Sequence, residues 1–262
     1  MCVKTKSTFF IFLIALSVSV STPARTWTLK NGKTFNSEYK RKFGNKIIFV
    51  NKKGEKRVVK RKLLSKKDIK YIELANPPRL DLDIRKKSSI LQYHSRFDTT
   101  DLPHVTILQF GARIKKVSPG KYKYPLKLEM FVVAKQLHHN HKFILLDHQV
   151  FNIAFKNKKQ KKIELWSPYI AHVQEYYIIR LSNNLKKDME KMASRGEKYK
   201  GYLLVVTDSR GKIIAKRTTS NWIFKSLKEL RKRSIGNYID ETGARVYPGR
   251  PEKGKHNDGY HD

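Results

Sequence analysis

A mainly β protein is expected, with an N-terminal SH3-like small barrel followed by an antiparallel β-sandwich and a terminal helix. Three observations carry that expectation. Strand-length runs rich in Val, Ile, Tyr and Phe recur along the chain, and turn pairs such as Asn31-Gly32, Gly44-Asn45 and Lys53-Gly54 separate the first of them. A stiff Asn76-Pro77-Pro78 break then divides a short first set from a longer second one. At 262 residues and 39% hydrophobic content, the chain is long enough for two cores.

Residues 1–24 have the order of a secretory signal peptide. Lys4 and Lys6 make a basic start, Phe9–Val20 is an apolar run, and the small residues Ser19, Ser21 and Ala24 follow. The run is shorter than the roughly 20 residues a membrane span needs. The expected product is an exported protein starting near Arg25, in the periplasm, cell envelope or outside the cell, with no transmembrane span. Cys2 lies ahead of the apolar run, so it is not placed as a lipoprotein cysteine, and no cysteine follows it. The mature chain then depends on its cores, without disulfides.

Residues 25–75 contain four strand-like runs, Arg25–Leu29, Lys33–Lys42, Lys46–Asn51 and Lys56–Arg61. A helix closes the unit. Ser65 and Asp68 have capping-box spacing, so the helix begins at Ser65 and lays Ile69, Ile72 and Ala75 against the strands. Trp27, alternating with Thr26 and Thr28, faces inward as a core residue, or as a groove wall on the alternative reading.

The order of these features resembles the first homology domain of the Sla-type endocytic adaptors (SHD), an SH3-like barrel. The matching residues are Arg25-x-Trp27, Gly32-Lys33 followed by Phe35, the Lys46–Val50 strand, the Gly54 turn, Leu64-Ser65, and Asp68 followed by Tyr71-Ile72. The likeness covers about a fifth of the chain. It implies a binding fold; in eukaryotic adaptors the family binds short Asn-Pro-Phe-type peptides, and similar domains recur in secreted bacterial proteins.

Residues 76–88 are read as a linker and residues 89–239 as the second domain. Period-two runs at Ser89–Ser95, His104–Val117, Lys121–Leu137, His141–Phe155, Lys161–Trp166, His172–Ser182 and Tyr199–Thr207 suggest seven or eight strands, the last joined through Asp208–Gly211 to a partner ending near Arg217. Leu185–Lys198 reads as a helix or a long loop. A helix over residues 221–234, capped by Asn221, places Trp222, Ile223, Phe224, Leu227 and Leu230 on one side. Residues 240–262 read as a disordered tail.

Charge is the remaining signal. The chain carries 57 basic and 22 acidic residues, net +35. Residues 25–75 hold 17 basic against 4 acidic residues, net +13, which is more than a third of the excess in a fifth of the length. Such a surface draws polyanions and weakens with salt. The candidate ligand-binding residues are Arg41, Lys42, Lys52, Lys53, Lys60 and Lys62, with Trp27 as a groove wall. The expected partner is an acidic polymer or peptide. Nucleic acid is the weaker choice, because export removes the chain from the cytoplasm and no aromatic and basic stripe is present.

Catalytic motifs are missing from the sequence: it has no Gly-x-Ser-x-Gly elbow, phosphate loop, dinucleotide turn or Cys–His pair. His138-His139-Asn140-His141 with Asp147-His148 could supply metal ligands, but it reads as a hairpin tip, where neighbours point apart. His172 and Glu175 are three apart on a strand and face opposite ways. Asp81 and Asp83 are read as an exposed strand edge, and Trp166 and Trp222 as core. The expectation is a binding protein with no catalytic residues, no metal and no cofactor. The alternative is a metal-dependent enzyme or accessory protein using the His138–His148 region.

Overall fold

The computed structural model describes residues 24–91, 105–119, 122–137, 141–155, 160–178 and 193–247, with the side chains of residues 176–178 and 193–195 left out. The leader, most of the tail, His138–Asn140 and much of Leu185–Lys198 lie outside the described residues. The chain divides into two units, one ending at Ala75 and one starting at Asn76.

The first unit is an antiparallel meander of β1 (Arg25–Thr28), β2 (Thr34–Phe43), β3 (Lys46–Val50) and β4 (Lys56–Lys60), followed by a single 3-10 turn at Arg61–Leu63 and α1 (Lys66–Ala75). Strand pairing does not close it into a barrel. β1 meets the segment after β4 instead, through a Leu29–Leu64 bridge and the Ser65 N–H bonded to the Thr28 carbonyl at 2.9 Å. Alternation along β3 sends Ile47 and Phe49 inward to meet Trp27, Val59, Leu64 and Ile72. Trp27 is 1% exposed, its ring 4.7 Å from that of Phe49, and its indole N–H donates to the Ser37 carbonyl at 2.7 Å. It is core and not a groove wall, so it leaves the list of ligand residues.

Ser65 caps α1, its Oγ accepting the Asp68 N–H at 3.1 Å. Asp68 is also buried and binds across the fold. Its carboxylate accepts from Arg25 at 2.9 Å, from the Thr28 N–H at 2.8 Å and from Ser65 Oγ at 2.8 Å. One acid therefore ties the start of β1 to the start of the helix.

In the second unit eight antiparallel strands form one connected sheet. They are β5 (Leu80–Leu91), β6 (Val105–Lys116), β7 (Leu126–Gln136), β8 (Phe143–Ile153), β9 (Lys162–Ile178), β10 (Ala193–Thr207), β11 (Ile213–Thr218) and β12 (Tyr238–Ile239). Their order is β12-β8-β7-β10-β9-β6-β5, with β11 also on β10. β10 pairs with β7 along most of its length but with β9 only from Ala193 to Gly196; farther on, β11 takes the edge that β9 has left. Gly196 marks the parting. Its φ is +90°, and a Cβ there would stand 1.8 Å from the Gln174 carbonyl oxygen, so only glycine fits. The sheet folds over beyond it, bringing β5 back to β11, where Arg217 donates to the Leu82 carbonyl at 2.6 Å.

The two faces of β7 and β10 are therefore both covered. Leu128, Met130, Val132, Leu204 and Val206 pack with Leu108, Phe110 and Ile114 of β6. Phe131, Val133, Leu203 and Val205 pack with Ile223, Leu227 and Leu230 of α2 (Asn221–Lys225) and α3 (Leu227–Leu230).

Four expectations are corrected. Residues 80–88 belong to β5 and not to a linker: Leu80, Leu82 and Ile84 turn to the core while charged residues between them face out. The runs expected at Lys161–Trp166 and His172–Ser182 join in one strand, β9, which continues through a bulge at the buried Ser167 as far as Ile178, with residues 179–182 outside the described residues. The terminal helix is two short helices breaking at Ser226, whose Oγ donates to the Glu241 carbonyl at 2.7 Å, and its N-cap residue is Ser220 instead of Asn221. Residues 240–247 are ordered by a turn in which Asp240 accepts from the Thr242 and Ala244 N–H groups.

Candidate anion-binding face

The register of β2, β3 and β4 decides which cations meet. Lys46 stands directly opposite Lys60 on one side and Phe43 on the other; Ile48 is opposite Arg41 and Val58; Val50 is opposite Glu38 and Lys56. Inward alternation of Ile47, Phe49 and Val59 sends all nine to the outward face. Lys42, opposite Ile47, and Lys62, in the 3-10 turn, are exposed near the Lys46–Lys60 end, where the Arg61 N–H bonds the Asn45 carbonyl at 2.7 Å.

Of the residues expected to act together, Arg41, Lys42, Lys60 and Lys62 therefore share one end of the sheet. Lys52 and Lys53 sit in the β3–β4 turn at the other end, roughly 20 Å away at about 3.3 Å per residue. β2 and β4 are not neighbours, since β3 runs between them. Lys46, Lys56, Phe43, Val58, Ile48, Val50 and Glu38 belong to the same face; the period-two alternation of β3 and β4 was the signal that could have found Lys46, Ile48, Val50, Lys56 and Val58.

Of the unit's four acids, Glu38 lies at the far end of the sheet, opposite Val50. Asp68 is buried with Arg25, Glu73 pairs with Arg61, and Glu55 accepts from Asn51 at 2.8 Å. Arg57 turns to the other face and lies over the Phe35 ring at 4.2 Å.

The second unit has a cleft of about 630 Å³ lined by Lys127, Glu129, His148, Asp208 and Arg231 among others. Its carboxylates are already engaged. Burial tends to raise the Glu129 pKa, but hydrogen bonds from Lys127 at 2.9 Å and Arg231 at 2.7 Å overcome that and hold it below the ordinary value. Asp208 is likewise held low against burial by the Arg210 side chain and the Arg210 and Lys212 N–H groups. Burial pushes the His148 pKa down, and its ring stacks on Phe131 at 4.2 Å. The arrangement is an ion-pair network, with no carboxylate poised for proton transfer.

Of the His138–His148 region, His138–Asn140 lie outside the described residues. His141 is exposed with Glu241 at 3.8 Å, Asp147 is buried beside Gln149, and His148 points to Phe131. Among the described residues no three His, Cys, Asp or Glu side chains form a group that could hold a metal. His172 and Glu175 are both exposed on β9, and Glu175 pairs with Lys198 at 3.4 Å. Asp81 and Asp83 are on edge strand β5, where they pair with Arg217 at 3.6 Å and with Arg113. Trp166 lies under Lys87, whose Nζ is 4.3 Å from the ring centre, and Trp222 packs on Phe143 at 4.5 Å. No described helix is long and apolar enough to cross a membrane.

No protein-family model matches the chain, and no curated protein matches it. A crystal structure of a protein from Akkermansia muciniphila is similar over 55% of this chain and 73% of its own, at 15% identity and a TM-score of 0.21, a likeness that defines neither fold nor function here.

Proposed function

We propose that this is an exported, non-enzymatic binding protein whose N-terminal unit, an SH3-like small barrel of the SHD kind, engages an acidic partner, while the second unit serves as a sandwich-like body. An anionic glycan, a lipid headgroup and an acidic peptide share the required chemistry. The observation that carries the reading is the cross-strand pair Lys46–Lys60. Like charges directly opposite on adjacent strands destabilise a sheet, their Cβ atoms being about 4.5–5.5 Å apart. An anion between them relieves the repulsion, and Arg41 on the same face and Lys62 at the same end add to its hold.

The test compares retention on a heparin-like support. Wild type should bind at low salt and release steeply as salt rises, because ion pairing to a polyanion releases counterions. Replacing Lys42, Lys46, Lys60 and Lys62 with Gln should abolish most retention, whereas Lys52→Gln with Lys53→Gln at the far end should change it little. Equal retention of the quadruple variant and wild type would refute the reading.

A further inference from the structure

The outward face of β2, β3 and β4 is not purely cationic. Phe43 is 75% exposed and Val58 56% exposed, and on the middle strand the half-buried Ile48 lies between Arg41 and Val58 and Val50 between Glu38 and Lys56. The nine positions comprise Phe43, Ile48, Val50 and Val58, four cations (Arg41, Lys46, Lys56 and Lys60), and one acid, Glu38. Charge selects an anionic partner. The apolar residues narrow the choice further, because a soluble polyanion gains nothing from an exposed phenyl ring, whereas a bilayer offers anionic headgroups and hydrocarbon at the same surface.

We infer that this face docks on an anionic phospholipid bilayer, with Phe43 and Val58 entering the headgroup–acyl boundary. Arg41, Lys46, Lys56 and Lys60 keep their charged ends among the headgroups while their stems lie along the apolar side chains. Phe43 is the last residue of β2, beside the Gly44-Asn45 turn, so its ring projects at the rim of the sheet and can enter lipid without disturbing the core on the opposite face. This inference rests on the reading that the basic face binds an acidic partner, and narrows that partner to a lipid surface.

The experiment is co-sedimentation of the full-length protein, processed as the cell processes it, with vesicles of phosphatidylcholine alone or containing about one-third phosphatidylglycerol, beside the heparin-like support. Wild type should pellet with the anionic vesicles and not with the zwitterionic ones. Phe43→Ser with Val58→Ser should weaken vesicle binding about tenfold or more, given the free energy of burying such side chains, and leave heparin retention unchanged. Both residues are exposed, so the fold should tolerate the change. Phe43→Trp serves as the second variant, and the fluorescence of its added indole should shift to the blue and resist an aqueous quencher on anionic vesicles. Wild type that holds heparin but ignores vesicles, a serine variant that binds vesicles as wild type does, or an indole emission in the Phe43→Trp variant that vesicles do not move would overturn lipid docking and leave the polyanion reading standing. Loss of both bindings in wild type would sink both.

Discussion

The two units treat a buried aspartate in opposite ways. In the N-terminal unit Asp68 is met by the Arg25 guanidinium, the Thr28 N–H and the Ser65 hydroxyl. In the C-terminal unit Asp147 is fully buried on β8 with Gln149 at 2.9 Å, the Ser167 side chain and the His148 backbone as its partners, and its Oδ2 has no hydrogen-bond partner among the described residues. The first carboxylate is a tie and the second a cost. The same contrast runs outward: the larger unit folds its cations into pairs such as Arg231–Glu129, Arg113–Asp83 and Arg210–Asp208, whereas the small unit leaves Lys42, Lys46, Lys60 and Lys62 exposed at one end. Both units use some ion pairs to build structure, but the small one keeps a group of cations exposed together at one end of its sheet.

The sharpest way to break the contrast is Asp68→Ala. Removing one partner of a buried ion pair costs about 3–5 kcal/mol, which rivals the whole stability of a unit this small at roughly 0.05–0.15 kcal/mol per residue. Hydrogen exchange read by mass spectrometry should show residues 25–75 losing protection while the β7–β10 peptides keep theirs. Loss in both units would mean that they fold as one body.

Asp147→Asn should act in the other direction. Burial raises the Asp147 pKa above its ordinary 3.8. Folding therefore favours the protonated acid, and stability falls as pH rises from that ordinary value through the raised folded value. The penalty is complete above the folded value and absent below the unfolded one. Asn removes it, so the variant should be more stable by about 1–3 kcal/mol near neutral pH, with the gain fading as the solution is acidified below about pH 4. Urea melts at pH 7 and pH 3 decide this, and a variant less stable at both would show that Asp147 is a needed tie.

The smallest effect should come from Lys198→Gln, which removes the exposed pair with Glu175. Its cost is about 0–1 kcal/mol and shrinks with salt. A larger loss in thermal melts would mean that pairing on the second unit's surface is structural even when exposed.

Local chemistry made much of the small unit legible in advance. Turn residues such as Asn31-Gly32 and Lys53-Gly54, and the Ser65–Asp68 spacing, act over three or four positions, and the strands and helix follow them. The second role of Asp68 was hidden because its partners Arg25 and Thr28 lie 43 and 40 residues away. The basic face was half legible for a related reason. Runs of lysine can be read directly, but the pairing of Lys46 with Lys60 depends on register, and Lys52–Lys53 joined the set only because sequence proximity hides a strand's length. In the second unit, Asp81 and Asp83 were read as an exposed strand edge, but residues 80–88 were still assigned to a linker because Asp81, Asp83, Arg85 and Lys87 look like linker composition; an edge strand with one wet face looks the same. Ser167-Pro168 suggested a strand end but is a bulge, which sequence cannot tell from a terminus without knowing that β6 continues alongside.

Gly196 sets the mechanical character of the larger unit. Among the described residues the β5-β6-β9 wing joins the rest of the sheet through four residue pairs, Ala193–Ile178 to Gly196–Glu175, whereas β5 and β6 share twelve. Under load that short seam should part before the twelve-pair β5–β6 ladder, laying open Leu108 and Phe110 while β7 and β8 stay paired. A side chain at 196 would wedge apart the same seam from within, so one missing methyl group keeps the two halves of the sheet latched.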